Sequence, residues 1–174
     1  EVLKERLPEG ATRRAVEQNR KDELGGYSSD GRSHDELWLD FAEGMGAERR
    51  QVLESKPMPE VNNVIESFER YAAEGEGVEA LCAFYAYESQ TPRVASEKEH
   101  WLRELYGADA KTSNYFREHA TADIHHSNVW RGLIDRELAQ HPEMQKTALN
   151  AGEKAAASLW HVLDGMQNAW LEAA

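Results

Sequence analysis

Residues 119–126 read HATADIHH, three histidines and one aspartate in eight positions. On an α-helix, residues i, i+4 and i+7 lie within about 60° of one another. His119, Asp123 and His126 have that spacing and converge, whereas His125 falls about 120° from His119. Two imidazoles and a carboxylate on one stripe suit iron, zinc or manganese. The same stripe would also suit a polar, solvent-facing surface. Glu88 adds a second carboxylate, at the end of the apolar run ALCAFYAYE. A carboxylate beside a buried run is costly, unless a metal takes it up or the helix turns its polar face outward there. Glu23 and His34 form the third piece. One closes a helix, where its charge opposes the dipole, and the other opens the next, so the loop between can bring them to one point. Three carboxylates and three imidazoles suit two divalent metals, the usual donor set of two-iron sites in helical bundles.

The elements that must position these residues are helical throughout. Apolar i, i+3, i+4 spacing is frequent and β-branched alternation is absent. The spacing predicts a helix over ~11–24, closed by Gly25-Gly26. A second opens at Ser33, with Glu36 completing a capping box, and turns Leu37, Phe41 and Met45 to one face. A third runs over ~60–73 after the proline-rich KPMPE. A long helix over ~77–105 is kinked at Pro92. The turn YGADAKTS leads to a helix over ~113–140 that carries the HATADIHH stripe. A last helix over ~143–171 faces Leu159, Leu163, Met166 and Trp170 inward. The reading is one all-α domain over residues 1–174, without repeats or linkers.

Composition narrows the partners. The 174 residues carry a formal charge of −12, which opposes nucleic acid and anionic membranes. The single cysteine, Cys82, excludes an internal disulfide and a CxxC knuckle and reads as a buried structural thiol. No apolar run approaches the length of a membrane span and no signal peptide is legible, so a cytoplasmic location is expected.

Taken together, DELGG…SHDELWLDFAEGMG, FYAYESQTPRVASEKEHWLRELYG, NYFREHATADIHHSN and LWHVLDGMQ resemble the haem-oxygenase-like two-metal oxidases. Within them, the likeness is to the group of the chlamydial death-domain-associating protein, and it covers about Asn19 to Asn168. The family pattern of Glu, His, a central Glu and His-x3-Asp-x2-His falls on Glu23, His34, Glu88, His119, Asp123 and His126. The resemblance implies a haem-oxygenase-like helical bundle. It also implies further helices ahead of the segment matching Ala11–Gly25, so that the bundle here is N-terminally incomplete. Family members place fewer residues between the first Glu and His than the loop YSSDGR allows.

By the same resemblance, two Fe(II), or an iron–manganese pair, would activate O2 against an organic substrate. Glu23 and His34 would complete one metal site and His119, Asp123 and His126 the other, with Glu88 shared. The group is implicated in making p-aminobenzoate for folate from an internal tyrosine, with an amino group taken from a lysine that Lys98 matches. Tyr27, four residues from Glu23, is a candidate for oxidative modification or simply a loop tyrosine. A small-molecule or self-derived substrate and a homodimer are implied. The alternatives are a cofactor-free enzyme of the pyrroloquinoline-quinone-synthesis or thiamin-salvage type, or a protein-interaction module. The thiamin type needs a nucleophilic cysteine, a role for which Cys82 is badly placed.

Overall fold

The computed structural model describes residues 1–28 and 31–173. Among them there is no strand, and the all-α expectation holds. The helices are α1 (Val2–Arg6), α2 (Ala11–Lys21), α3 (His34–Gly44), α4 (Arg49–Glu54), α5 (Pro59–Ala73), α6 (Gly77–Glu88), α7 (Thr91–Tyr106), α8 (Asn114–Gln140) and α9 (Gln145–Ala173). A π turn, Asp22–Gly26, continues α2, and a 3₁₀ turn, Pro142–Met144, precedes α9. No helix among the described residues is long and apolar enough to cross a membrane.

The chain divides into two compact units. The first comprises Glu1, Glu9–Ser55 and Glu88–His126. Its core holds Val16, Leu37, Leu39, Ala95, Phe116 and Ala122. Here α3 packs against the π turn and α4. The entry to α8 is fixed by its turn. Gly107 ends α7 in the left-handed conformation that glycine tolerates. Asp109 then accepts the backbone N–H of Thr112 at 2.8 Å, and Ser113 donates to the Asp109 carbonyl at 2.9 Å.

The second unit comprises Val2–Pro8, Lys56–Tyr87 and the chain from Ser127 onward. There α5 packs on α1 and α9. Leu3, Tyr71, Leu81, Trp130 and Leu133 are buried, with Ala148, Ala151 and Ala155 forming the buried stripe of α9. Small residues at i, i+3 and i+7 present a flat face for packing. Of the inward face expected from Leu159, Leu163, Met166 and Trp170, Leu159 is half-buried and the other three are 52%, 53% and 69% exposed. The buried stretch of that stripe is the one that carries the alanines, nearer the start of α9.

Three further expectations change. The rod over ~77–105 is two helices, because Pro92 stands in the first turn of α7, where its missing N–H costs nothing, and the chain breaks after Glu88. The capping box does not form. Ser33 is the N-cap of α3 but makes no cap hydrogen bond, and its hydroxyl instead helps hold the Asp35 carboxyl below its ordinary range. Leu37 of α3 is buried, but Met45, just past its end, is 40% exposed. The short helices α1 and α4 were not anticipated, being too brief to show a period.

Candidate metal centre

All six candidate ligands lie in the first unit. Glu23 stands in the π turn and His34 is the first residue of α3. Glu88 is the last residue of α6, and His119, Asp123 and His126 lie on α8. His34, Glu88, His119, Asp123 and His126 are buried, and Glu23 is half-buried. His125 is exposed, as the helical geometry requires.

The six fall into two groups of three. Glu23, His34 and His119 bring ligand atoms within 4.8 Å of one another, and so do Glu88, Asp123 and His126. This partition differs from the expected one, in which His119 joined Asp123 and His126. At 1.5 Å rise per residue, His119 and His126 are about 10 Å apart along the axis. They face the same way but at different heights, so α8 contributes to both groups.

Within the first group, Nδ1 of His34 lies 2.7 Å from Oε2 of Glu23, and the His34 and His119 rings are 4.2 Å apart. Nδ1 of His119 donates to the Tyr115 carbonyl at 2.7 Å, which leaves its Nε2 as a lone pair. In the second group, Nε2 of His126 donates to Oδ2 of Asp22 at 3.1 Å, and its Nδ1 lies 3.4 Å from Oδ1 of Asp123. Glu88 accepts from the Asn19 side-chain amide at 3.3 Å.

Charge follows this geometry. Burial acts to lower His34, but the adjoining Glu23 carboxylate outweighs it and holds the imidazole above its ordinary value. Burial also opposes charge on His126, yet Asp123, Glu88 and Asp22 together push it up to about 9. His119 goes the other way, lowered by burial and by the neighbouring His34, with the Tyr115 carbonyl opposing.

Among the described residues, Nε2 of His34 and Oδ2 of Asp123 are buried without a hydrogen-bond partner, while Nδ1 of His34 and Nδ1 of His126 face only the carboxylates of Glu23, at 2.7 Å, and Asp123, at 3.4 Å. Each such orphan costs about 1–3 kcal/mol. Both carboxylates belong to the same two groups as the imidazoles they face. A cation in each group would satisfy donors that nothing else satisfies, and mixed imidazole and carboxylate donors suit iron. The residues present therefore fit the metal.

A family model described as "Iron-containing redox enzyme", of the haem-oxygenase type, matches residues 3–160. The chain belongs to this family. Among curated relatives, the 4-aminobenzoate synthase of Nitrosomonas europaea is 33% identical over 136 residues, 78% of this chain and 55% of the relative. The 4-aminobenzoate synthase of Chlamydia trachomatis is 29% identical over 153 residues, 87% of this chain and 63% of the relative. The bifunctional coenzyme PQQ synthesis protein C/D of Methylorubrum extorquens is 28% identical over 172 residues, 98% of this chain and 45% of the relative. The chain thus spans about half to two-thirds of the length of these relatives.

Lys98 belongs to neither three-residue group. It is exposed, with its ammonium 5.7 Å from the Phe116 ring centroid. Tyr27 is 41% exposed, its ring 6.1 Å from that of His126 in an edge contact. The sequence reading missed Asp22, Asn19 and Gln18, which hold the centre's members or one another. Asp22 carried one available signal, an acidic residue directly beside a proposed ligand.

Proposed function

We propose that this chain forms the centre of a two-iron, O2-dependent oxidoreductase that makes 4-aminobenzoate. The observation that carries the reading is the pair of buried three-residue groups with orphaned donor atoms, in a chain of an iron-containing redox family. The names of the Nitrosomonas and Chlamydia relatives supply the product. Glu23, His34 and His119 would hold one iron, and Glu88, Asp123 and His126 the other. Bound iron would supply one-electron chemistry with O2.

The chain's own residues do the positioning. The Tyr115 carbonyl fixes the His119 tautomer so that Nε2 is the free donor. His126, pushed up to about 9, carries a proton on Nδ1 in the metal-free protein, and that proton leaves when a cation takes its place. Burial of five of the six ligands keeps water from the centre and strengthens each electrostatic contact. Lys98 is the proposed nitrogen donor, on the resemblance alone. Its side chain must leave the Phe116 face to act.

The similarity to the PQQ synthesis protein keeps a cofactor-free reading in view. That chemistry has no use for six converging ligands. A thiamin-salvage reading needs a reactive thiolate, and burial pushes the Cys82 thiol up to about 11. Anaerobic Fe(II) titration decides between them. Two equivalents per chain are expected, followed by 4-aminobenzoate on exposure to air. Uptake of one equivalent or none would overturn the two-iron reading, and two equivalents without product would overturn the 4-aminobenzoate assignment.

A further inference from the structure

Asp22 is a buried carboxylate, 5% exposed, that belongs to neither ligand group. Its two oxygens are used separately. Oδ1 accepts from the Gln18 side-chain amide at 2.9 Å, and Oδ2 accepts from Nε2 of His126 at 3.1 Å. Among the described residues, His126 is its only ion-pair partner. An ionised carboxylate buried with one amide and one imidazole is costly to place. Its position therefore asks for a reason.

The His126 ring supplies one. Its two nitrogens face two different carboxylates, and the contacts are unlike. Nε2 has a formed hydrogen bond to Asp22, while Nδ1, 3.4 Å from Asp123, has none. A carboxylate can only accept, so Nε2 must carry the proton. Nδ1 is then the nitrogen turned toward Asp123, which shares a ligand group with Glu88. The backbone explains how adjacent residues serve both groups. Asp22 and Glu23 open the π turn, and each reaches a different histidine, Asp22 to His126 and Glu23 to His34. Single π turns within α-helices recur at functional sites.

We propose that Asp22 is a positioning residue of the second metal group, holding His126 by Nε2–H so that Nδ1 is presented to the cation. The inference rests on the two-metal reading above. A carboxylate on the far nitrogen of a ligating imidazole fixes ring orientation and raises its donor strength, and losing such a partner typically weakens metal binding about 10- to 100-fold. The weakening falls on the group of Glu88, Asp123 and His126 and spares that of Glu23, His34 and His119.

The test is anaerobic titration of Asp22→Ala and Asp22→Asn with Fe(II), and with Co(II) as a spectroscopic stand-in. Asp22→Ala should bind one equivalent with unchanged affinity and the second about 10- to 100-fold more weakly. In Asp22→Asn the carboxamide oxygen still accepts from Nε2–H without the charge, so its second equivalent should fall between alanine and wild type. Proton NMR of the Co(II) protein adds a readout independent of turnover. One exchangeable imidazole N–H signal should vanish in Asp22→Ala and persist in Asp22→Asn. Two equivalents of wild-type affinity in Asp22→Ala would overturn the proposal, as would equal weakening of both. Should circular dichroism show Asp22→Ala unfolded, the asparagine variant decides: a weaker second equivalent supports the role and an unchanged one refutes it. A wild type that binds fewer than two equivalents overturns the two-metal reading itself, and the Asp22 role with it.

Discussion

Gly25 lies in the π turn with φ +103°, a backbone conformation that disfavours any side chain. Replacing it by alanine costs about 1–2 kcal/mol for the left-handed conformation alone. The new Cβ would also stand 2.4 Å from the Gly31 carbonyl oxygen, 2.8 Å from the Gly31 carbonyl carbon and 3.0 Å from that of Arg32. Ordinary contact begins near 3.4 Å, so the approach must open by about 1 Å. These are backbone atoms, which cannot rotate aside as a side chain would. Overpacking of that kind adds about 1–3 kcal/mol.

The two terms together give about 2–5 kcal/mol, which for a chain of this size lowers Tm by roughly 4–20 °C. The displacement has a direction. Whichever strand of the approach gives way, it carries either Glu23, two residues before Gly25, or His34, two residues after Arg32. Those side chains are 2.7 Å apart. The group of Glu23, His34 and His119 should therefore lose iron affinity while the other keeps it. Gly107→Ala is the control, since Gly107 has φ +66° but nothing within 4 Å of its Cβ position. It should lose only the conformational term, about 1–2 kcal/mol, and bind iron as the wild type does. Thermal unfolding of the metal-free variants and anaerobic Fe(II) titration measure both. If Gly25→Ala melts with Gly107→Ala and takes up iron normally, the close approach does not set the site.

Iron loading should raise hydrogen-exchange protection over residues 115–130, because binding free energy becomes local folding free energy; equal protection in both states would mean that packing alone holds this part of α8. Asp40 is buried against Arg32, Arg49 and Lys111, and the Arg32 hydrogen bond first, with Lys111 beside it, holds its carboxyl below the ordinary range. Its stabilisation is thus present above the unfolded-state pKa and lost as pH falls through the lower folded-state value. Asp40→Asn should cost up to about 1 kcal/mol at pH 7, the cations being partly solvated, and urea unfolding of variant and wild type should converge in acid. Cys82, pushed up to about 11, should alkylate slowly at pH 8 with a rate that climbs toward pH 11; rapid labelling at pH 8 would contradict its half-buried setting.

How much of this was legible in the sequence depended on whether a feature is periodic or made by a meeting. The helix over ~113–140 appears as Asn114–Gln140, because caps, turn and apolar spacing all agree there. The convergence of His119, Asp123 and His126, and the outward turn of His125, follow from 100° per residue. The sequence shows the angle but not the height at which another helix meets the stripe, so it does not separate His119, which meets Glu23 and His34, from its sequence neighbours. The break at Pro92 was placed but misjudged in kind. A proline reads alike at an interior kink and in a first turn until the preceding helix is known to stop. The buried face of α9 failed for a different reason. Met166 lies within about 20° of Ala155 around the axis, yet the stripe is buried at Ala148, Ala151 and Ala155 and exposed at Met166, because burial along one face ends where its partner helix does.

Asp22 marks where local reasoning stops. In the sequence, DE at the end of a helix is two charges of the same kind, and only Glu23 fits a ligand pattern. Their separate roles come from two things no window of residues contains. One is the wider π turn, which depends on Gly25 approaching the backbone of Gly31 and Arg32. The other is His126, 104 residues further along the chain, whose Nε2 meets Asp22. A carboxylate that binds no metal itself but turns a distant imidazole leaves no spacing to read. What marks it is burial together with two separately used oxygens, one on Gln18 and one on His126.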